Sequence, residues 1–269
     1  MDPDYAEAHI DLGAALARQG KLDEAIQHYE RALQLKPDVA EAHLNWGNAL
    51  AGQGKLDEAL QHYEQALQIR PDYAEAHCSL GIALARQGRL DEAIQHCQRA
   101  LQLAPEYAEA HIGLGNALAG QGKMNEAMQH YERALQLKPD AVEAHCNLGV
   151  ALAFQGKLNE AMQHFERALQ LKPDYAEAHY NLGIALATQG KLDEALQHFE
   201  RALQLKPDYP EAHYNLGITL AGQGKLDEAM QHFQQGLNLA TAQGKTALAE
   251  SIRTRLKPYP PALPTPQAP

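Results

Sequence analysis

Apolar residues along this chain recur at helical spacing, and the pattern they form then recurs as a whole. In residues 176–209, AEAHYNLGIALATQGKLDEALQHFERALQLKPDY, Leu182, Ala185 and Leu186 line one face of a first segment. Leu192, Ala195, Leu196, Phe199, Ala202 and Leu203 line one face of a second. Steps of three and four residues are those of an amphipathic helix. The pattern predicts one helix over Ala176–Thr188 and another from about Leu192 to Leu205. Gln189-Gly190 separates them, because glycine accepts the left-handed backbone of a helix C-cap. Pro207 stops the second, since it lacks an amide hydrogen and restricts the residue before it. Asp174 is placed to cap the first helix, and Glu177 suits its positive end. Asp193-Glu194 and Lys206 complement the dipole of the second.

The same text repeats every 34 residues, marked by Gly13, Gly47, Gly81, Gly115, Gly149, Gly183 and Gly217. A fixed period in this range signals a solenoid, in which each unit is stabilised by its neighbours rather than by one central core. Seven full units are read at 6–39, 40–73, 74–107, 108–141, 142–175, 176–209 and 210–243. Residues 1–5 match the end of a unit whose body is missing, which points to a piece of a longer array. In 246–256, Leu248, Ile252 and Leu256 form one stripe, expected to cap the open face of the seventh unit. Residues 257–269, KPYPPALPTPQAP, read as a Pro-rich flexible tail; Pro261 to Pro264 is a PxxP string.

The spacing of Leu182, Gly183, Leu186, Ala195, Phe199, Ala202 and Pro207 resembles the tetratricopeptide repeat, in tandem copies over 6–243. Some positions depart from the family pattern. His179 stands at a fourth position that is often aromatic, and Leu186 where tyrosine is common. Trp46 takes a leucine position, and Cys97 takes the ring position of Phe199, where it is expected to leave the third unit underfilled. The resemblance implies an all-α, right-handed α-solenoid of seven 34-residue helix-turn-helix repeats plus a C-terminal capping helix. It also implies that the first helices line a concave groove with their second, fifth, sixth, ninth, twelfth and thirteenth positions.

At those positions the second residue is always Glu, as in Glu143, Glu177 and Glu211. The sixth carries Asn45, Asn147, Asn181 and Asn215, interrupted by Asp11, Ser79 and Gly113. The ninth carries Asn48 and Asn116, the fifth ends in Tyr180 and Tyr214, and Phe154 is the one aromatic at the thirteenth. The lysines that clamp a C-terminal carboxylate in tetratricopeptide co-chaperones are missing. The groove is most similar to that of the repeat domain of O-linked N-acetylglucosamine transferase, whose asparagine ladder binds the backbone of an extended chain. An Asn amide offers both a donor and an acceptor to any peptide unit. The resemblance therefore implies that Asn147, Asn181, Asn215, Tyr180, Tyr214, Phe154, Asn45, Asn48 and Asn116 bind peptide, most strongly toward the C-terminal half.

Charge narrows the partner. The formal net charge is -11 with no basic run, which argues against nucleic acid and against an anionic membrane. A neutral or basic extended segment is expected instead. No apolar run spans a bilayer, the polar start does not read as a secretory signal, and a cytoplasmic location is expected from the reduced cysteines. Cys78, Cys97 and Cys146 form no CxxC pair and read as reduced small hydrophobes. The 14 histidines fall at two repeat positions, those of His179 and His198, and no helix carries two at three- or four-residue spacing. The first set is expected to fill a partly buried position and the second to lie near the solvent edge. No metal and no cofactor is expected.

No nucleophile, base and orienting group recur together, so the chain is not read as an enzyme. The expected function is a protein–protein interaction scaffold binding an extended segment. Two alternatives are a substrate-recruiting or regulatory arm of a larger enzyme, such as a glycosyltransferase, and a metal-binding His array. End-to-end self-association is expected through Ile10 and Leu16, left open at the first unit.

Overall fold

The computed structural model describes residues 5–257, and among them there are fifteen helices and no strand. They are α1 (Ala6–Arg18), α2 (Leu22–Leu35), α3 (Ala40–Gly52), α4 (Leu56–Ile69), α5 (Ala74–Arg86), α6 (Leu90–Leu103), α7 (Ala108–Gly120), α8 (Met124–Leu137), α9 (Val142–Phe154), α10 (Leu158–Leu171), α11 (Ala176–Thr188), α12 (Leu192–Leu205), α13 (Pro210–Gly222), α14 (Leu226–Ala242) and α15 (Thr246–Leu256). The helices expected from the pattern of 176–209 are α11 and α12. The architecture is an all-α solenoid of helix hairpins. The tail from 258 onward, with its PxxP string, and residues 1–4 lie outside the described residues.

Each turn inside a hairpin is built from the backbone. At the end of α11 the Lys191 amide donates to Leu186 O at 3.0 Å and the Gly190 amide to Ala187 O at 3.0 Å. This crossed pair satisfies the last carbonyls and forces the residue between into a left-handed conformation, which Gly190 adopts at φ 78°. The start of α11 differs from the expected cap. Its N-cap residue is Tyr175, and no side-chain cap bond forms. Asp174 stands one residue too early to reach the free amides. The Ala178 and His179 amides donate to Tyr175 O instead, at 3.1 and 3.2 Å.

The chain divides into two compact units, and the division falls inside α9, between Asn147 and Leu148. In the first unit α1–α2, α3–α4, α5–α6 and α7–α8 are hairpins, and α2, α4 and α6 also pack on α3, α5 and α7. Ala40, Leu44, Leu60, Tyr63, Leu80 and Leu84 belong to one continuous buried cluster that crosses repeat boundaries. The hairpins close tightly because glycine faces a ring. A Cβ at Gly115 would sit 2.5 Å from Tyr131 Cε1, well inside contact distance. Neighbouring repeats are tied by a bond that the sequence reading missed. Gln121 Nε2 donates to Asp91 Oδ1 at 2.5 Å, and Gln87 does the same to Asp57 at 2.6 Å.

One expectation for this unit changes. Ile10 is only 5% exposed, packed with Ala32 and Ala42, because α2 and α3 cover it, and Leu16 is half-buried. Of the apolar face expected there for self-association, the Ile10 part is covered and the Leu16 part only partly so. At Cys97 no ring faces Gly81, and the thiol sulfur stands 2.6 Å from where a Gly81 Cβ would be. Both Cys97 Sγ and the Ile82 side chain approach Gly113, at 3.2 and 2.9 Å from where its Cβ would be. The thiol is fully buried.

In the second unit Phe165, Phe199 and Phe233 take the ring position, facing Gly149, Gly183 and Gly217. Gln223 Nε2 again reaches back to Asp193 Oδ1, at 2.7 Å. The last helix, α15, packs on α14 as the expected cap. Its Ile252 is fully buried and comes within 3.4 Å of where a Cβ would stand on Gly236. Gly236 occupies the place held by Ala202 in the repeat before, so the small residue makes room for the cap.

Candidate functional site

In the first unit the exposed face of the first helices carries a polar network. The Tyr131 hydroxyl donates to Asn116 Oδ1 at 2.9 Å, and Asn147 Nδ2 donates to the same oxygen at 2.8 Å. Asn116 Nδ2 in turn donates to Glu143 Oε1 at 3.0 Å. Two repeats earlier, Tyr63 donates to Asn48 Oδ1 at 2.9 Å. Asn45 is half-buried and Asn48 exposed. Two clefts open along this face. One of about 290 Å³ is lined by Asn48, Tyr63, Ser79, Ile82 and Arg86. The other, of about 330 Å³, is lined by Ile82, Arg86, Leu90, Glu109, Ile112, Asn116 and Glu143. Gly113 and Gly120 also line it and create its room, since neither puts a side chain into it. The sequence reading treated Gly113 only as a gap in the asparagine ladder.

The acidic line is less bare than its sequence suggests. Glu109 is paired with Lys138 at 2.9 Å, and this pairing holds its carboxyl below the usual range against the upward push of burial. In the second unit Glu177 meets Lys206 at 3.8 Å and Glu211 meets Lys245 at 2.8 Å. Such half-exposed pairs contribute little stability, about 0–1 kcal/mol each. They do lower the field that the carboxylates present to a ligand.

The face of the second unit is more apolar. Phe154 is 76% exposed, the most exposed of the large hydrophobic side chains described. It borders a cleft of about 320 Å³ lined by Val150, Ala153, Leu158, Phe165, Ile184 and Thr188, with Asn181 at its side. Tyr180 and Tyr214 are half-buried rather than presented. The Tyr180 ring centre lies 4.8 Å from that of Tyr209, and its hydroxyl accepts a hydrogen bond from Asn215 Nδ2 at 2.9 Å. Burial, with Glu211 nearby, pushes the Tyr180 phenol up to about 12. Asn215 and Tyr180 thus use part of their capacity on each other.

Other chemistry fares as follows. Cys78 and Cys97 are buried free thiols pushed up to about 12 by desolvation, which makes them poor nucleophiles. Among the described residues no three His, Cys, Asp or Glu side chains come together in a way that could hold a metal ion. The second histidine set is half-buried instead of lying at the solvent edge, and it meets the first set across the hairpin. No described helix is long and apolar enough to cross a membrane.

Comparison with known proteins fits this architecture. A family model described as TPR repeat matches residues 15–54, 47–88, 115–156, 154–190 and 185–224. Models described as tetratricopeptide repeat match 74–107 and 210–242. No curated protein matches the sequence. Among solved structures, the chain is similar to one in the Cut9–Hcn1 hetero-tetramer of APC/C, with TM-score 0.77 and 20% identity over 82% of this chain and 44% of that one. The chain therefore spans less than half the length of that match. It is also similar to pilF of Pseudomonas aeruginosa, with TM-score 0.65 and 20% identity over 80% of this chain and 97% of that one. A third is a thermophilic TPR protein of Thermus thermophilus, with TM-score 0.59 and 26% identity over 68% of this chain and 99% of that one.

Proposed function

Because the chain belongs to the tetratricopeptide-repeat family, we propose that it is an interaction scaffold whose first-helix face binds an extended protein or peptide segment. The observation that carries this reading is the position of Phe154. A phenylalanine left 76% exposed beside an apolar cleft gains nothing for folding. It offers a rigid ring to a partner, and aromatics dominate the energetics of interfaces. An apolar side chain of the bound segment would enter this cleft between Phe154 and Ile184, with Asn181 at its side. Asn215 and Asn147 serve more as struts than as free rungs, since their amides already donate within the protein.

The partner segment is neutral or basic. The chain carries a net charge of -11, and Glu7, Glu41, Glu75 and Glu143 are exposed or half-exposed on first helices. An acidic segment would be repelled. Selection from a random peptide library on the wild-type chain, repeated on Phe154→Ala, tests the reading. Peptides rich in apolar and basic residues that are retained by the wild type and lost by the variant are expected. Selected peptides indifferent to Phe154 would overturn it.

A further inference from the structure

The two histidine sets meet head to head. In the first unit Nδ1 faces Nδ1 at 2.9 Å for His9–His28, 3.1 Å for His43–His62, 2.9 Å for His77–His96 and 3.0 Å for His111–His130. In the second the distances are 2.9 Å for His179–His198 and 3.0 Å for His213–His232. The rings point straight at one another. For His111–His130 the ring centres are 5.3 Å apart and the nitrogens 3.0 Å, which leaves about 1.1 Å on each side. That equals the radius of a five-membered ring with partly double C–N bonds of about 1.33 Å. Both nitrogens therefore lie on the line between the centres, the geometry of a linear N–H···N hydrogen bond. It is the wrong geometry for an ion, because two metal–nitrogen bonds of about 2.0–2.1 Å along one line need roughly 4 Å.

The backbone fixes which ring donates. Nε2 of His77, His111, His179 and His213 lies 3.0, 3.3, 3.0 and 3.3 Å from the carbonyl oxygens of Pro71, Pro105, Pro173 and Pro207. A carbonyl only accepts, so these Nε2 atoms carry the hydrogen, and their neutral rings keep a lone pair on Nδ1. The partner ring must then donate through its own Nδ1–H. Its Nε2 is left free for one added proton. That proton strengthens the bond, since the donor becomes charged. A second proton would put hydrogen on both facing nitrogens at about 3 Å, and the rings could stay together no longer.

We propose that in each of these repeats the two imidazoles form a proton-binding site of capacity one, and that a second proton unlocks the helix hairpin in acid. Burial supports the direction. Desolvation lowers His62 to about 4, with the charge of His43 adding to it. It is the leading cause that also lowers His96, His130 and His198, again followed by the partner imidazole. His111, His179, His213 and His232 are lowered by desolvation as well. The charged groups around the pairs work both ways. Glu92, Glu126, Glu194 and Glu228 pull the second histidines up, while Arg89 lowers His96, Arg133 lowers His111 and Arg201 lowers His179. The Trp46 ring stacks on His62 with centres 4.1 Å apart and adds no charge.

Long-range proton–nitrogen NMR on the full chain with labelled histidine tests the proposal. At pH 8 each pair should show one ring protonated at Nε2 and its partner protonated at Nδ1. On acidification the folded chain should take up one proton per pair. Two Nε2-protonated rings in a pair, or fourteen independent titrations near pH 6.5 with the fold intact, would overturn it. A variant carrying His111→Phe and His130→Phe gives an independent reading through its unfolding constant. Below pH 6 the wild-type constant should rise about tenfold more per pH unit than that of the variant, one proton's worth. Equal pH slopes would count against the proposal. If the variant does not fold, the NMR assignment alone decides.

Discussion

The Tyr131 hydroxyl donates to Asn116 Oδ1, fifteen residues away, and so carries a bond from the second helix of a repeat onto the exposed face of its first. Tyr63 and Asn48 do the same two repeats earlier. The units with Phe165, Phe199 and Phe233 carry Val150, Ile184 and Ile218 at the matching first-helix position, where no hydroxyl has to be met. In these five repeats tyrosine goes with asparagine and phenylalanine with an apolar residue, whereas Tyr29 of the first repeat is matched by Ala14.

Tyr131→Phe should keep the ring packing against Gly115 and lose only this bond. The expected cost is about 0.5–1.5 kcal/mol, read as a lower urea midpoint at unchanged slope. Phe165→Tyr should bring no such gain, because Val150 offers its hydroxyl no acceptor.

Gly115→Ala should destabilise by about 1–3 kcal/mol in spite of alanine's higher helix propensity. The added methyl would sit 2.5 Å from a ring that is 2% exposed and has little room to withdraw. A urea titration of the variant no weaker than that of the wild type would mean that α7 and α8 separate more easily than their packing implies.

Phe154→Ala should leave stability within about 0.5 kcal/mol of the wild type, because the side chain is mostly exposed. Its effect should fall on binding. For a hot spot the loss is at least about 2 kcal/mol, roughly thirtyfold in affinity, measured by calorimetry with a selected peptide. Tyr180→Ala should instead lower stability, since that ring is packed against Tyr209 and bonded to Asn215.

Stability should fall as pH drops below 6.5. The folded chain holds His62 down to about 4 and lowers His96, His130 and His198, so the unfolded chain binds more protons throughout that window. A base with a depressed folded pKa gives its full stability above the unfolded value and loses it as pH descends toward the folded one. Melting temperatures at pH 7.5, 6 and 5 should decline in that order, with most of the loss below pH 6.

The sequence by itself determined the helices, their turns and their order. Gly190 and Pro207 act through their own backbone dihedrals, and the apolar spacing of Leu192, Ala195 and Phe199 needs no distant partner to be read. Repetition then made the solenoid legible, because each unit must bury its face on a neighbour of the same kind. The cap formed by Ile252 followed from the same logic. What only the tertiary structure decided were relations between side chains on different helices. His179 and His198 looked like separate sets, one half-buried and one near solvent, until the hairpin placed their Nδ1 atoms 2.9 Å apart. Ile10 looked open and is covered, Asp174 looked like a cap and is not, and the asparagine ladder proved partly engaged with Tyr180, Asn116 and Glu143. Periodicity fixes which face of a helix a residue occupies. Which atoms meet depends on the rotation and closeness of two packed helices, set by small contacts such as Gly115 against Tyr131.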